Sequence, residues 1–521
     1  MKSRHTGQGW CCYLALVVVY STALPTLEAA QPDQTRQTLL LVDDHHVLYR
    51  PGTMRILRPL DREPENPVIL ADRPWEQLIS YCSVYRDSKD GRYQLWYQAY
   101  PGCHLCYATS EDGVRWTKPR LGLVEYEGST DNNIVMPIGY GASVVVDPRD
   151  PDPTRRYKAA FWDSGEIEGH QIPGTCVAFS PDGIHWTLHD GNPVIRGSHG
   201  HYIQPPFASD PRIKTGKLGG PPLSTSDVTD AIWDPMRNTF AIYAKTWIDG
   251  PDGTMHWKRA VVRTESSDFI DWSKPRLMMA PDEFDDWQGD AVEVQRTSVG
   301  GGSGGRQLHS GPVFVYNNVY LSLLQVMDAG KTGRQPIELA VSRNGLDWQR
   351  PFREAPFLPT APGDQFDSGR IWSNATPIIL AEQVRFYYGG YRGRWNMKGP
   401  IDDHKPSAIG LATMPRDRFA GVQPMETIGQ ITLKAIDLSN CRNITLNADA
   451  IGGSIRVEVL NSQGYRVRGF SKEDAEPIKG DSLSHDVRWN NRTVLDLADG
   501  FYLLRLHLDQ ATVYALTLSN P

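Results

Sequence analysis

Apolar and aromatic residues alternate with polar ones in short runs through most of this chain. Residues 93–97 (YQLWY) are representative, because Tyr93, Leu95 and Tyr97 occupy every second position. Such alternation is typical of β-strands that bury one face, and Asp-Gly and Asn-Gly pairs between the runs favour tight turns. Residues 79–413 show no convincing period of an amphipathic helix. The pattern predicts an all-β fold.

Three kinds of predicted strand follow one another in a fixed order. The first is short and apolar, the second is rich in Tyr, Phe and Trp, and the third leads into a polar turn. The predicted first strands are residues 79–85, 143–146, 231–233 and 312–316, the second strands are residues 93–97, 157–162, 240–244, 319–324 and 384–388, and the third strands are residues 105–109, 176–179, 260–264, 337–341 and 409–413.

A polar turn followed by an aromatic residue recurs along the chain. The copies span residues 110–116, 180–186, 267–272, 342–348 and, in degenerate form, 413–419. Their aromatic residues lie 70, 86, 76 and 71 residues apart. A near-regular period marks a repeat architecture in which each unit packs on its neighbours. Because the unit is β, we predict a five-bladed β-propeller.

The residues of this turn have a mechanical explanation. Ser and Asp side chains bond to nearby backbone groups, and Gly accepts a positive φ. The Trp that follows can wedge between neighbouring blades, where burial of an indole stabilises the fold by roughly 1.5–3 kcal/mol. We therefore predict that the turn residues hold the blades together and take no part in chemistry.

The two ends of the chain differ from the repeats. A positively charged start and an apolar stretch at residues 10–23 are typical of a secretory signal peptide, cleaved near Ala29 or Ala30. Residues 38–47 predict an extended strand, which could close the ring by joining the last blade. After residue 427 the turn is absent and short alternating strands continue. We predict a signal peptide at residues 1–30, the five-bladed β-propeller at residues 36–426 and a β-sandwich at residues 427–521.

Composition narrows the range of partners. The net charge is −7 over 521 residues and no run of Lys or Arg stands out, which argues against nucleic acid and anionic membranes. Cys103 and Cys106 have the spacing of a zinc knuckle, but no second Cys or His pair completes a site. We predict no metal, no cofactor and no membrane insertion of the mature protein, which would be a monomer or small homo-oligomer, secreted or periplasmic.

Carboxyl groups lie near the starts of most predicted first strands, which should line the centre of the propeller. They are Glu76 for the first blade, Asp230 for the third, Asp290 and Glu293 for the fourth, and Asp367 for the fifth. Carboxylic acids that converge on a concave site can cleave a glycosidic bond, one as acid and another as base or nucleophile. We predict that these residues supply the catalytic groups.

Neighbouring residues suit the binding of a carbohydrate substrate. Trp75, Trp287 and Trp372 can stack on sugar faces, Arg370 can bind a hydroxyl or carboxylate, and Asp227 lies just before the first strand of the third blade. For each carboxylate the alternative is a structural role, because Asp at strand ends often caps a turn.

The turn motif resembles that of the five-bladed propellers of glycoside hydrolase families 32, 43 and 68. Phrases shared with a family 32-like group of secreted bacterial proteins, many with a C-terminal β-sandwich, are residues 74–76 (PWE), 93–97 (YQLWY), 233–235 (WDP), 265–272 (ESSDFIDW) and 366–369 (FDSG).

The resemblance covers residues 38–521 and implies a propeller that hydrolyses glycosides. Characterised families of this type use an Asp on blade one, an Asp on blade two and a Glu on blade three. This chain has Glu76 on blade one, no clear acid at the start of blade two, and Asp227 or Asp230 on blade three.

Three functional hypotheses follow. The first is an exported glycoside hydrolase that acts on a poly- or oligosaccharide. The second is a non-catalytic carbohydrate-binding propeller. The third is a lyase or sialidase-like enzyme, which would need a Tyr nucleophile or an Arg cluster, and for which Tyr391, Arg392 and Arg394 are the relevant residues.

Overall fold

The computed structural model describes residues 36–167, 169–196, 223, 225–248, 258–286, 305–328, 331–353, 355–395 and 407–520. Within these ranges the chain is almost entirely β, with 3₁₀ turns at Pro153–Arg155 and Val494–Asp496. No helix in the described ranges is long and apolar enough to span a membrane. The predicted signal peptide lies outside the described residues, and the all-β prediction is confirmed.

The strands up to the end of the propeller are numbered in chain order. They are β1 (Arg36–Leu40), β2 (Val47–Tyr49), β3 (Thr53–Leu57), β4 (Asp61–Arg62), β5 (Ile69–Leu70), β6 (Leu78–Arg86), β7 (Tyr93–Tyr100), β8 (His104–Ser110), β9 (Ile134–Pro137), β10 (Tyr140–Val146), β11 (Tyr157–Ile167), β12 (His170–Ser180), β13 (Thr187–Leu188), β14 (Ile195–Arg196), β15 (Thr229–Asp234), β16 (Thr239–Ile248), β17 (Lys258–Ser266), β18 (Arg276–Met279), β19 (Arg306–Ser310), β20 (Val313–Tyr316), β21 (Val319–Asp328), β22 (Ile337–Ser342), β23 (Trp348–Gln349), β24 (Arg370–Trp372), β25 (Ile378–Ile379), β26 (Gln383–Tyr391) and β27 (Ser407–Pro415).

Five antiparallel sheets follow one another along the chain and form the blades. Blade 1 contains β6–β9, blade 2 contains β10–β14, blade 3 contains β15–β18 and blade 4 contains β19–β23. Blade 5 contains β24–β27 together with β4 and β5. The first strand of each sheet lies innermost, and the first strands of blades 1, 2 and 3 pack against one another in order. The predicted five-bladed propeller is confirmed.

The recurring turns have nearly the same geometry in blades 1 to 4. In blade 1 the Ser110 hydroxyl accepts a hydrogen bond from the backbone N–H of Gly113 at 2.8 Å. One oxygen of Asp112 accepts from the N–H groups of Val114 and Arg115, each at 2.8 Å. These bonds satisfy the polar groups of the turn locally, as the sequence predicts.

The third copy of the turn begins one residue earlier than predicted. Ser266, rather than Ser267, accepts from the N–H of Phe269 at 2.9 Å. Phe269 has a φ of 67° at the position that Gly occupies in the other copies. Its buried ring packs on Phe240 at 5.2 Å, so core packing holds a backbone conformation that bulky residues seldom adopt.

Each turn contacts the blade before it in the ring. The Gly183 carbonyl of blade 2 accepts from the Trp96 indole of blade 1 at 2.6 Å, and the Gly113 carbonyl of blade 1 accepts from the Tyr387 hydroxyl of blade 5 at 2.7 Å. A Cβ on Gly183 would lie 2.5 Å from the ring of Trp96. The Trp116 ring reaches Tyr387 of blade 5 at 5.7 Å. The predicted wedging between blades is confirmed at these contacts.

The ring is closed by residues just before blade 1. Strands β4 and β5 pair with β27, the third strand of blade 5. The Asp367 carboxylate accepts from Arg62 of β4 at 2.8 Å and from the Tyr388 hydroxyl of blade 5 at 3.0 Å. The interpretation of residues 38–47 as the closing strand is wrong, because β1 pairs with the last strand of the chain instead.

The remaining strands belong to a ten-stranded antiparallel sheet that also contains β1, β2 and β3. They are β28 (Ala420–Pro424), β29 (Ile428–Leu433), β30 (Ile436–Asp437), β31 (Asn443–Asn461), β32 (Ile478–Asp486), β33 (Phe501–Asp509) and β34 (Thr512–Ser519). Its core joins residues from both ends of the chain, including Leu39, Leu41, Trp489 and Leu516. Residues 36–57, which the predicted boundaries group with the propeller, therefore pair with the C-terminal strands. A two-layer sandwich here stays a prediction.

Candidate functional site

Polar side chains link the innermost strands in a ring around the propeller axis. We call Ser83, Ser143, Asp230 and Asn374 the inner-strand ring. The Ser83 hydroxyl of blade 1 accepts from the N–H of Val144 in blade 2, and the Ser143 hydroxyl accepts from the N–H of Ala231 in blade 3. Asp230 of blade 3 accepts from the N–H of Ala375 in blade 5 at 3.2 Å, and Asn374 donates back to Ser83 at 2.9 Å.

Asp230 is the member of this ring whose side chain can ionise. Its side chain is buried, and its Oδ2 has no hydrogen-bond partner among the described residues. Burial raises the pKa of Asp230 to about 8, although the N–H groups of Ala375 and Val313 oppose the shift. At neutral pH the group is therefore largely protonated.

A second set of polar groups meets beside the ring, and we call it the central cluster. Its members come from blades 1, 3, 4 and 5. Blades 1 and 3 are not neighbours, so their side chains can influence one another only across the centre. The charge of Asp227 acts on both Tyr81 and His309, and Arg259 acts on Tyr81. The central cluster comprises Tyr81, Asp227, Lys245, Arg259, His309 and Arg370.

A local irregularity in the first blade directs Tyr81 toward the centre. Tyr81 has a φ of 41°, and the register between β6 and β7 shifts between Ser80 and Cys82. A bulge of this kind changes the direction of a side chain relative to its strand. Tyr81 lies 6.0 Å from Trp372 of blade 5, ring centre to ring centre. Burial raises its pKa, so the phenol keeps its proton at neutral pH.

Asp227 and Lys245 form a buried ion pair in blade 3. The Lys245 ammonium donates to the Asp227 carboxylate, and the Ser226 hydroxyl donates to the same carboxylate at 3.0 Å. Burial alone would raise the pKa of Asp227, but the charge and hydrogen bond of Lys245 and the hydrogen bond of Ser226 outweigh it and hold that pKa well below its usual range. Asp227 is therefore ionised in the folded protein at neutral pH.

Two arginines of the central cluster lie against aromatic rings. The Arg259 guanidinium is 4.4 Å from the Trp247 ring centre and 5.5 Å from that of Trp395. Arg370 lies 4.3 Å from the Trp395 ring centre and 4.6 Å from that of Tyr391. Burial lowers the pKa of each arginine to about 10, so both remain charged at neutral pH.

His309 completes the cluster as a neutral group. Its side chain is buried, with Nδ1 lacking a hydrogen-bond partner among the described residues, and its ring lies 5.4 Å from that of Trp395. Burial, together with the charges of Lys245 and Arg259, lowers its pKa well below the usual range. His309 can therefore offer a neutral nitrogen to a ligand.

Several of the residues predicted from the sequence come together here. Asp227, Arg370 and Trp372 lie in or against the central cluster, and Asp230 lies on the adjoining strand β15. Trp372 stacks on Tyr391 at 6.0 Å and its Nε1 has no partner among the described residues. Three further residues that the sequence predicts for the site lie outside the described residues: Asp290, Glu293 and Trp287.

The other predicted residues are engaged elsewhere. Glu76 is buried in blade 1, where Lys118 donates to it at 2.5 Å and the Tyr97 hydroxyl donates to its other oxygen. Trp75 donates to the Asn133 side chain of the same blade at 3.0 Å. Asp367 accepts a hydrogen bond from Arg62 of β4, where the ring of blades is closed. In each case the described partner belongs to the propeller itself, and the predicted catalytic roles of Glu76 and Asp367 and the predicted stacking of Trp75 on a sugar stay predictions.

Four members of the cluster were not predicted: Tyr81, Lys245, Arg259 and His309. Lys245 and Arg259 lie on the second and third strands of blade 3, which are expected to lie farther from the axis than first strands. The sequence does carry a signal, because Lys245 is the charged residue in the mostly apolar run of residues 240–247. Two residues bear on the hypothesis of a lyase or sialidase-like enzyme. Tyr391 borders the central cluster, whereas Arg394 is exposed.

Metal binding finds no support in the described part of the chain. Those residues contain no group of three or more His, Cys, Asp or Glu side chains arranged to hold a metal ion. Cys103 and Cys106, whose spacing suggested a zinc knuckle, are free thiols.

Comparison with known proteins finds several solved structures that align with this chain. No family model matches the chain, and no curated protein matches it. An N-acetylgalactosamine deacetylase from F. plautii in complex with blood group B trisaccharide aligns at 15% identity and a TM-score of 0.43, over 68% of this chain and 96% of that one. A glycosyl hydrolase from Bacteroides ovatus gives 14% identity and a TM-score of 0.40, over 70% and 95%. A Bombyx mori β-fructofuranosidase of glycoside hydrolase family 32 gives 12% and 0.39, over 88% and 95%.

Proposed function

We propose that the protein hydrolyses a glycosidic bond of a poly- or oligosaccharide at the central cluster. One observation carries the proposal: two carboxyl groups near the start of the same inner strand have pKa values displaced in opposite directions. Asp227 is held ionised by Lys245, whereas Asp230 is held protonated by burial. Paired carboxyl groups in opposite protonation states are what acid–base cleavage of a glycoside requires.

The roles follow from these protonation states. Asp227 would act on water or on the anomeric carbon, because only an ionised carboxylate can serve as base or nucleophile. Asp230 would donate a proton to the leaving oxygen, because its carboxyl keeps its proton up to a pH of about 8. Trp372 and Arg370 would hold the sugar beside them.

The second candidate function is carbohydrate binding without cleavage. A specific observation favours it: Asp230 already accepts hydrogen bonds from the backbone and is buried, which is the behaviour of a scaffold residue. Asp227 would then be the only carboxylate of the central cluster among the described residues, and hydrolysis needs two carboxyl groups.

A screen of the purified protein on a panel of polysaccharides tests the proposal. We expect at least one glycan to be cleaved, with cleavage slowed by about 10²–10⁴-fold in both Asp227→Asn and Asp230→Asn, since each removes a group that transfers protons. Asp182→Asn, in a recurring turn, serves as the matched control and should cleave at the wild-type rate. Cleavage that survives both central substitutions would contradict the site. A glycan that is bound but never cleaved would favour the second function.

We also propose that the protein is exported, on the basis of the charged and apolar start of the chain. N-terminal sequencing of the protein from the periplasm or the culture medium tests this. A mature start near residue 30 is expected, and recovery of the intact chain from the cytoplasm alone would contradict it.

A further inference from the structure

We propose that the central cluster binds an anionic sugar, with Arg259 and Arg370 recognising its carboxylate or sulfate group. The inference rests on the proposed function, because both take the ligand to be a carbohydrate. It adds that this carbohydrate is anionic. It does not require that the sugar is cleaved.

The charges of the central cluster do not balance. Lys245, Arg259 and Arg370 are cationic, His309 is neutral, and Asp227 is the only carboxylate among the described members. Asp227 is already paired with Lys245. Two guanidinium charges are therefore left without a carboxylate in the described part of the protein.

The hydrogen bonds of these two arginines confirm that neither has a counter-ion there. Arg259 donates to the side-chain oxygen of Gln307 at 2.9 Å and contacts the Met327 sulfur, and its Nε has no partner among the described residues. Arg370 donates from its Nε to the Gly393 carbonyl at 2.8 Å. This leaves the outer guanidinium nitrogens of Arg370 without a described acceptor.

Two buried arginines elsewhere in the same propeller do have carboxylate partners. Arg263 donates to Asp234 at 2.7 Å and to Glu265 at 2.8 Å. Arg350 donates to Asp285 at 2.5 Å and to Glu338 at 2.9 Å. An arginine taken out of water normally receives a carboxylate, because an unpaired buried charge costs several kcal/mol.

Aromatic rings lie against both of these arginines. Arg259 and Arg370 both lie on the Trp395 ring, so their charges converge on one region. Trp372 and Tyr391 provide aromatic faces beside Arg370. Arginine pairs bind the planar oxygens of a carboxylate, or the oxygens of a sulfate, through parallel N–H donors, while indole faces stack on sugar rings.

Binding to matched glycans tests the inference. The probes are polygalacturonate, alginate and glucuronoxylan, each beside its carboxyl-reduced neutral derivative, and κ-carrageenan beside its desulfated derivative. Affinity electrophoresis measures the dissociation constant of the wild-type protein and of Arg259→Gln, Arg370→Gln and Arg149→Gln. Arg149 is the matched control, because it lies over the Trp233 ring at 3.4 Å and pairs with Asp147, outside the central cluster.

We expect at least one anionic glycan to bind about 10- to 100-fold more tightly than its neutral derivative, as one or two charge-assisted hydrogen bonds would provide. Arg259→Gln and Arg370→Gln should reduce that ratio to about threefold or less, whereas Arg149→Gln should keep it. Arg370 is the more exposed of the two arginines, so its variant remains informative if Arg259→Gln does not fold. A preference among the uronate glycans identifies a carboxylate, and a preference for carrageenan identifies a sulfate.

Equal binding of the charged and neutral forms would overturn the inference and leave the proposed hydrolysis standing. The same holds if the anionic preference survives in both Arg259→Gln and Arg370→Gln. An anionic glycan that is bound with the expected dependence but not cleaved would support the inference and contradict hydrolysis. Failure to bind any of these glycans would overturn the inference, and the cleavage screen would decide separately whether the protein hydrolyses another glycan.

Discussion

Arginine side chains buried in the blades and arginine side chains buried at the centre have opposite surroundings. Arg263 and Arg350, within blades 3 and 4, each contact two carboxylates, and their pKa values are raised despite burial. Arg259 and Arg370, at the centre, contact none among the described residues, and burial lowers their pKa values to about 10. Among the described residues, the blades pair these buried arginines with carboxylates and the centre does not, which is the basis for proposing that the central arginines bind a ligand.

The polar turn residues follow the scaffold pattern. In the turns the Ser110 and Asp112 side chains satisfy the neighbouring N–H groups without help from outside the repeat. At the centre, polar atoms such as Nδ1 of His309 and Nε of Arg259 remain without described partners. Unpartnered buried polar atoms also occur in the blades, for example Nε1 of Trp116, but at the centre they lie beside two arginines that have no described carboxylate partner, which marks the centre as the candidate site for a ligand.

The sharpest test of this contrast replaces one arginine from each region by methionine. Arg263→Met should lower the free energy of unfolding by about 3–5 kcal/mol, because it leaves Asp234 buried without its cation. Arg370→Met should change it by less than about 1 kcal/mol or raise it, because it removes a charge that has no described carboxylate partner. Urea denaturation at pH 7 measures both values. Equal losses would contradict the contrast between the two regions.

Asp230 accepts a scaffold hydrogen bond through one oxygen and has no described partner for the other, so its titration tests whether the folded protein holds it protonated. In the unfolded chain Asp230 has the ordinary aspartate pKa of 3.8, whereas burial raises its pKa to about 8 in the folded protein. Folding therefore favours the protonated form, and stability from this group is lost as the pH rises from about 4 to about 8.

Asp230→Asn removes this titration and keeps an oxygen for the N–H of Ala375. Relative to the variant, the wild-type protein should lose about 3 kcal/mol of unfolding free energy between pH 5 and pH 7, at about 1.4 kcal/mol per pH unit. Urea denaturation of both proteins at pH 5, 6 and 7 measures the difference. A difference that does not change with pH would show that Asp230 is ionised in the folded protein.

The smallest expected effect concerns the turns themselves. Asp182→Ala removes the acceptor for the N–H groups of Ile184 and His185 in blade 2 and should lower the unfolding free energy by about 1 kcal/mol. Glycan binding should be unchanged, because the side chain lies in the recurring turn and contacts no member of the central cluster. Thermal unfolding and affinity electrophoresis on one preparation measure both properties. Weakened binding without loss of stability would assign a functional role to the turn.

The sequence was most informative where the fold repeats. The turns predict the blade count and the wedging of Trp116 because each copy carries its own hydrogen-bond partners within a few residues. Ring closure was not predictable in the same way, since β4 and β5 have two residues each and show no alternation.

The candidate site was predictable only in part, because its side chains find their partners far along the chain. Asp367 is predicted as a catalytic group, and its carboxylate accepts a hydrogen bond from Arg62, 305 residues away along the chain. Glu76 is similarly engaged by Lys118, 42 residues away. Asp227, Arg370 and Trp372 could be singled out because they lie at first strands, whereas Arg259 reaches the centre from a third strand, which a strand pattern does not reveal.

A crystal structure of Asp227→Asn with a bound acidic oligosaccharide tests the central claim most directly, since the substitution should slow cleavage without removing either arginine. We expect the charged group of the sugar within about 2.7–2.9 Å of a guanidinium nitrogen of Arg259 or Arg370, and a sugar ring against Trp372 or Trp395. A saccharide bound elsewhere, for example on the C-terminal sheet, with both guanidinium groups untouched, would contradict the account.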